Sequence, residues 1–402
     1  MKESKRSVKV YDLLTFSITN CWGQETDIHT LFTSFTVTES VFRKGTRGTV
    51  SVVDDLGLFE MLPLVGDEYI NISFRTDWMG VEDPIYDRTF RIYRIDNGKQ
   101  YSGATRSYII HFISPEVEHN ESVYISRSYK GKTSDMIVRD VWNNLSDVDA
   151  LTCVESVNAP RYIIPNLHPF DAISWLSENS VSDKGYSDYV LYENRDGWNW
   201  LPLRSLMDDE PIQTIRRSMS NISNLSSVSR DNAEDIEFSR LYDTIEMCRS
   251  GLYGVDETQY SLVNKTVNIE GVSYNDRDFV EMPRANASVI EQCDMPIGAG
   301  MNLIRGNDPE TVYQGSHKPL MRRKQLMSEW KGNTWSITGP GNSNQTCGKV
   351  IYLDLPSMSI NNSDEVDGKY GGRYLITDIN HHFNQTEYTT GMTIRSNILR
   401  TE

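Results

Sequence analysis

The chain has 402 residues, 38% of them hydrophobic and 10% aromatic, enough for two to four domains with cores of their own. A mean hydropathy of −0.49, with no apolar run near the ~18 residues a spanning helix needs, excludes both a helical membrane protein and a disordered chain. Forty basic against 56 acidic residues give a net charge of −16, and the densest basic run, Met321-Arg322-Arg323-Lys324, is too short to argue for sequence-specific nucleic-acid binding.

The first 118 residues read as short strands. Phe35, Val37 and Val41 share a face, as do Val50 and Val52, while Ile70, Ile72 and Phe74 alternate with polar residues. Phe90 with Ile92, and Tyr108 with Ile110 and Phe112, repeat the pattern. Turns fall at Lys44-Gly45, Asp54-Asp55-Leu56-Gly57, Pro63, Gly66 and Asp96-Asn97-Gly98. Strands at this spacing predict a sandwich or a partly open barrel.

From 119 to 207 the period changes. Thr133-Ser134-Asp135 offers capping oxygens before a helical stripe of Ile137, Val138, Val141, Trp142 and Leu145. A second helix is predicted from Pro169, burying Phe170, Ile173 and Leu176. A hairpin follows around Asn194-Arg195-Asp196-Gly197. Residues 208–233, rich in Ser and Asn, read as a polar linker. Then come a strand at Ile236–Phe238, a helix near Asp243–Ser250 closed by Gly251, and one strand from Thr258 to Ile269. Residues 275–317 read as an irregular inserted loop. The end is again β, at Trp335–Ile337, Lys349–Leu355 and a hairpin from Tyr374–Phe383 to Tyr388–Ile398. The fold class is therefore α+β, mainly β, with β segments flanking an α/β module.

No catalytic constellation stands out. Gly339-Pro340-Gly341-Asn342-Ser343 lacks the lysine and the spacing of a phosphate loop and reads as a tight turn entering a strand. His381 and His382 are adjacent, so a strand would point them to opposite faces, which argues against one shared metal ion. The acidic doublets Asp54-Asp55 and Asp208-Asp209-Glu210 read as solvated turns, and the five cysteines are too scattered for a disulfide framework or a zinc ribbon. No cofactor is expected. Eight tryptophans and 21 tyrosines suit sugar platforms and protein contacts alike; Trp142 and Trp175 read as core, and Trp198, Trp200 and Trp335 as candidates for contact.

Taken in order, these segments resemble the central baseplate hub protein of contractile-tailed phages. The resemblance rests on the run Gly48-Thr49-Val50-Ser51-Val52-Val53-Asp54-Asp55, on Leu62-Pro63-Leu64-Val65-Gly66-Asp67-Glu68, and on Ile70–Phe74 leading to Phe90–Ile95. It continues through Tyr108–Pro115, Arg127–Ser134, Tyr162–Asn166, Pro169-Phe170 and Ser187–Gly197. Asp243, Gly251-Leu252-Tyr253, Pro340–Ser343 with Gly348, and Tyr374–Ile379 complete it, whereas 208–233 and 275–317 have no counterpart.

The resemblance implies two similar β-barrel, tail-tube-like domains, residues 1–118 and residues 234–274 with 318–402, around the α/β module at 119–207. It implies a homotrimer whose six barrels form a pseudo-sixfold ring, joining a sixfold tail tube to a threefold central spike and forming part of the DNA channel. The same fold opens the spike proteins of type VI secretion systems. Implied partners are the chain itself, the spike protein, tube or tube-initiator proteins and baseplate wedge proteins, with DNA only as passing cargo and no membrane insertion. The implied location is the virion tail baseplate, after assembly in the host cytoplasm. No enzymatic activity is expected. The rivals are the hub of a contractile injection or secretion particle and a virion-associated glycan-binding protein or glycan hydrolase. On the hub reading, the loops Asp54, Asp55, Leu56, Gly57 and Pro340, Gly341, Asn342, Ser343 lie at barrel ends and are the candidate interface residues.

Overall fold

In the computed structural model, residues 11–55, 57, 64–78, 81–100, 105–147, 150–157, 162–217, 232–240, 243–252, 254–261, 265–273, 301–306, 317–355 and 370–396 are described. The alternating segments of the first third form β1 (Tyr11–Thr19), β2 (Glu25–Asp27), β3 (Phe32–Ser40), β4 (Arg47–Asp54), β5 (Tyr69–Trp78), β6 (Val81–Glu82), β7 (Tyr86–Gln100) and β8 (Arg106–Ile113). They hydrogen-bond in the order β2-β1-β5-β7-β8-β4-β3, every pairing antiparallel. Successive side chains point to opposite faces, so Ile70, Ile72 and Phe74 of β5 and Tyr108, Ile110 and Phe112 of β8 all turn inward and are at most 4% exposed. Each such apolar side chain contributes about 1.5–3 kcal/mol on burial. Gly48 is where the sheet can least accept a side chain: a Cβ there would lie 2.0 Å from the Thr36 carbonyl oxygen and 2.3 Å from the Phe112 ring.

The module that follows holds α1 (Pro115–Ser122), β9 (Ile125–Tyr129), α2 (Ser134–Trp142), β10 (Leu151–Cys153), β11 (Tyr162–Leu167), α3 (Pro169–Glu178), β12 (Tyr189–Asn194) and β13 (Gly197–Pro202). Helix α1 was not expected, because its sequence is polar apart from Pro115 and Val117 and only Asn120 is buried. The stripe Ile137, Val138, Val141 and Trp142 of α2 is buried as expected. Its cap is not: Thr133 makes no side-chain cap bond, and the Asp135 carboxylate instead accepts the Ser156 N–H and hydroxyl at 3.1 and 2.9 Å. Trp198 and Trp200, expected at a surface, are only 2% and 0% exposed. They flank a turn, yet β13 lies on the helices, and Trp198 packs 5.1 Å from Trp142 and 5.4 Å from Phe170.

After a 3-10 turn at Leu203–Asp208 the chain forms β14 (Thr214–Arg217), β15 (Asn232–Ala233), β16 (Asp235–Arg240), α4 (Thr244–Ser250), β17 (Gly254–Ser261), β18 (Thr266–Ser273), β19 (Met301–Gly306), α5 (His317–Glu329), β20 (Asn333–Pro340), β21 (Val350–Asp354), β22 (Gly372–Asn384) and β23 (Tyr388–Ser396). Here spatial order departs from chain order: β16-β20-β23-β22-β21-β14-β15. The Glu234 N–H donates to the Thr338 carbonyl at 2.9 Å, which brings the β15 end of this path back against β20 and closes it on itself. Trp335 is 7% exposed and lies in this second core, not at a surface.

Three expectations change in this region. The polar stretch 208–233 contributes strands at both ends, β14 and β15, paired in parallel, and 218–231 lies outside the described residues. The single strand expected from Thr258 to Ile269 is a hairpin, β17 with β18, turning at Lys265 with φ of +53°. Inside the expected loop 275–317, β19 pairs in parallel with β17; Gly300 and Gly306 at its ends masked a strand of six residues. The rest of that loop lies outside the described residues apart from His317, which opens α5.

One strand ties the halves together. The first part of β22 pairs with β21, and its second part pairs with β3 of the first sheet, from Asp378 opposite Ser40 to Asn384 opposite Ser34. The β22–β23 hairpin therefore carries Phe383 and Tyr388 into the first core, where Phe383 stacks on Phe35 at 4.2 Å.

Candidate functional site

The loop from Gly341 to Gly348 is where the two β halves and the α/β module meet. Pro340 ends β20, so this segment leaves a strand instead of entering one. Gly341 N–H donates to the Tyr388 carbonyl at 2.9 Å, and a Cβ at Gly341 would lie 2.1 Å from the Tyr388 ring, so glycine is required by the approach. Ser343 faces β5 of the first half: its N–H donates to Thr76 Oγ1 at 2.6 Å, and its own oxygen accepts from the Thr76 N–H at 3.1 Å. Asn342 donates to Gln213 Oε1 at 3.1 Å, and Arg195 of the module donates to the Ser343 carbonyl at 2.9 Å. Asn194 and the Arg195 N–H reach the Cys347 carbonyl and Thr346 Oγ1 at 3.0 and 3.1 Å.

At the centre of this joint lie two carboxylates removed from water. Glu39 of β3 is 0% exposed; its Oε2 accepts the Thr346 hydroxyl at 2.5 Å and the Cys347 N–H at 3.1 Å. Burial pushes its carboxyl up to about 7, and the negative neighbour Glu193 adds to the push against the two hydrogen bonds. Glu193 of β12 is 4% exposed, accepts the Thr46 N–H at 2.8 Å and the Ser114 hydroxyl, and lies 3.9 Å from the Arg88 guanidinium. Burial raises it as well, with Arg88 opposing. Beside them, His381 is fully buried and His382 exposed, the opposite-face placement expected of adjacent strand residues. Burial first, and then the Arg195 charge, hold the His381 ring down to about 3, so it is neutral at ordinary pH. Among the described residues, no three His, Cys, Asp or Glu side chains are gathered to hold a metal ion.

The candidate interface residues are placed as follows. Asp54 ends β4, is 1% exposed, and faces the Tyr108 hydroxyl, whose acidity falls through burial and then through that carboxylate. Asp55 is exposed, Gly57 turns at φ of +76° with open space around it, and Leu56 lies outside the described residues. Asn342 and Ser343 are 1% and 0% exposed, so their side chains bind the chain to itself and leave no surface for a partner. Polar Asn and Ser beside Gly and Pro signal a turn, but their partners Thr76, Gln213 and Arg195 are more than a hundred positions away. Among the exposed aromatics that the residue pattern did not single out is Trp22, 68% exposed in the turn between β1 and β2.

No family model matches the chain. A protein described as "probable baseplate hub protein", from Vibrio phage KVP40, is 22% identical over 369 residues, spanning 85% of this chain and 84% of its own. The fold is similar to that of a tail protein from Neisseria meningitidis MC58, with a TM-score of 0.57, 9% identity and 96% of each chain covered. It is also similar to the 43 kDa tail protein of prophage MuSo2 from Shewanella oneidensis, with a TM-score of 0.55, 11% identity, and 95% and 98% covered. The chain is thus similar in sequence to a baseplate hub protein and in fold to two tail proteins, in agreement with the resemblance read from its residues. The mainly β class expected of a hub is the class observed, and the likeness to both tail proteins runs over nearly the whole length.

Proposed function

We propose that this chain is a baseplate hub protein, a structural, non-enzymatic component of a phage tail baseplate that acts as a homotrimer. The observation that carries the reading is the pair of β halves sharing one continuous sheet through β22. Two such units per chain turn threefold symmetry into six similar stations, which is what an adaptor between a sixfold tail tube and a threefold spike requires. In this reading the units are residues 1–118 and 234–274 with 318–402, the second extended by β14 and β15, around the module at 119–207. The ring would form part of the channel through which DNA passes, and a net charge of −16 suits a lumen that must not retain a polyanion. Spike, tube and wedge proteins are the partners of this reading, with assembly in the host cytoplasm before incorporation into the virion.

Light scattering over a dilution series tests the stoichiometry. The expected result is a species near three times 46.0 kDa, stable on dilution. A chain that stays monomeric both alone and with its spike protein would overturn the adaptor.

A further inference from the structure

The joint holds an incomplete hydrogen-bond network. Tyr388 Oη and His381 Nδ1 are 2.8 Å apart. The Asn342 N–H points at the Tyr388 oxygen, and that hydroxyl meets His381 Nδ1, the donor between them depending on the tautomer of the neutral ring. His381 Nε2, Tyr86 Oη and Glu39 Oε1 are all buried, and none makes a hydrogen bond of good geometry, although the Tyr86 hydroxyl and the Glu39 carboxyl face one another. They belong together. The Tyr86 and His381 rings are 5.9 Å apart, Glu39 is the hydrogen-bonding neighbour of the Tyr86 hydroxyl, and Glu39 sits diagonally from His381 across the β3–β22 pairing. Buried polar atoms left open are costly unless a proton or a water completes the set.

Of the two carboxylates, Glu39 is the one that takes the proton. Glu193 has the Arg88 guanidinium and two donors to hold its charge, whereas the polar neighbours of Glu39 are the hydroxyls of Thr346 and Tyr86, the Cys347 N–H and the negative Glu193. Nearby, Asp378 and Asp196 push up the Cys347 thiol, and Asp83 pushes up the Tyr388 hydroxyl with Arg195 opposing. Two like charges in one apolar interior do not both ionise readily.

We propose that Glu39 is a proton-operated latch between the two β halves: protonated, it is a neutral acid whose O–H and one buried water close the network with Tyr86 and His381. Ionised, it loses that donor, sends its proton to bulk water, and sets a second negative charge beside Glu193. The joint then loosens at the loop that carries Thr346 and Cys347.

The sign follows from proton counting. Glu39 keeps its proton in the folded chain up to about pH 7, while an unfolded glutamate releases it near 4.5, so its contribution is complete below 4.5 and is lost as pH rises through 7. His381 works the other way, since it charges near 6.5 unfolded and near 3 folded, and it masks Glu39 in a single pH profile. Comparison with Glu39→Gln removes that masking, because every other titrating group is shared. The ratio of wild-type to E39Q folding constants should fall on the order of tenfold per pH unit between 4.5 and 7, then level off. Hydrogen exchange of the 341–348 segment should become faster in wild type than in E39Q above pH 7, and equal below it. The infrared band of a protonated carboxylic acid should titrate near pH 7 in wild type and be missing from the E39Q difference spectrum. A pH-independent ratio of folding constants, or equal exchange of 341–348 in the two proteins at every pH, would overturn the latch. If E39Q does not fold, the wild-type band decides alone, and its loss only in the ordinary carboxylate range sinks the proposal.

Discussion

The two β halves reach similar architecture by different routes. In the first, neighbours in space are mostly close in the chain, and the core is aromatic: Phe16, Phe32 and Phe35 contact one another, while Phe74 stacks on Tyr86 at 4.7 Å. In the second, β14 at 214–217 pairs with β21 at 350–354, and β16 at 235–240 pairs with β20 at 333–340. Its closure spans long separations, so it depends on ties made late and from far away. The polar joint supplies them. Ser343, Thr346 and Cys347 bond to the first half, and Arg204 with Glu329 forms a buried ion pair fixing α5 to the turn after β13. Both halves have an apolar core; the second adds specified polar contacts and a hairpin shared with its neighbour.

The sharpest way to break this contrast is Phe383→Ala. The side chain is 0% exposed, stacks on Phe35 and on Tyr388, and stands on the strand that belongs to both sheets. Its loss should cost about 3–5 kcal/mol. Because β22 is shared, tryptophan fluorescence, which reports mainly the module and second half, should lose its transition midpoint together with far-ultraviolet circular dichroism. Two separated transitions would show that the halves unfold independently. Ser343→Ala is the milder version and acts only on the polar tie: it removes the acceptor of the Thr76 N–H and should cost about 1–3 kcal/mol in urea denaturation. An effect larger than that of F383A would reverse the ranking of apolar hairpin over polar loop.

The same contrast explains what could be read from residues alone. Alternation in β3, β5 and β8 is a local property, and one inward face per strand is enough to reveal it. The helix stripe of α2 and the hairpin β12–β13 are local as well, and both form where expected. The joint is not local. Glu39 reads as an ordinary surface glutamate in the run Thr38-Glu39-Ser40, and nothing nearby announces partners at 346 and 347. Helix α5 was hidden because it presents Gln325 beside Leu326 to the interior and because its basic residues suggest solvent; Arg323 instead donates to the carbonyls of Ser177, Ser187 and Tyr189. The tryptophans mislead for a related reason. A turn-flanking Trp looks available, but availability depends on what packs over the turn.

Among the tryptophans whose side chains are described, Trp22 is the exposed one, and it yields the smallest and most discriminating prediction. The Asn20 side chain accepts the Trp22 and Gln24 N–H groups at 3.1 and 2.9 Å, and Gly23 supplies the left-handed φ of +78°, so the turn is built without the indole. Trp22→Ser should therefore leave the stability of the isolated chain within about 0.5 kcal/mol. A ring 68% exposed would be an apolar contact in an assembly, where aromatic anchors carry a disproportionate share of binding energy. If the turn between β1 and β2 meets a neighbouring copy, W22S lowers the mass seen by light scattering on dilution while the melting curve of the monomer is unchanged. An unchanged mass at every concentration places the contact between copies elsewhere on the β surface, and a fall in monomer stability of several kcal/mol contradicts the turn geometry itself.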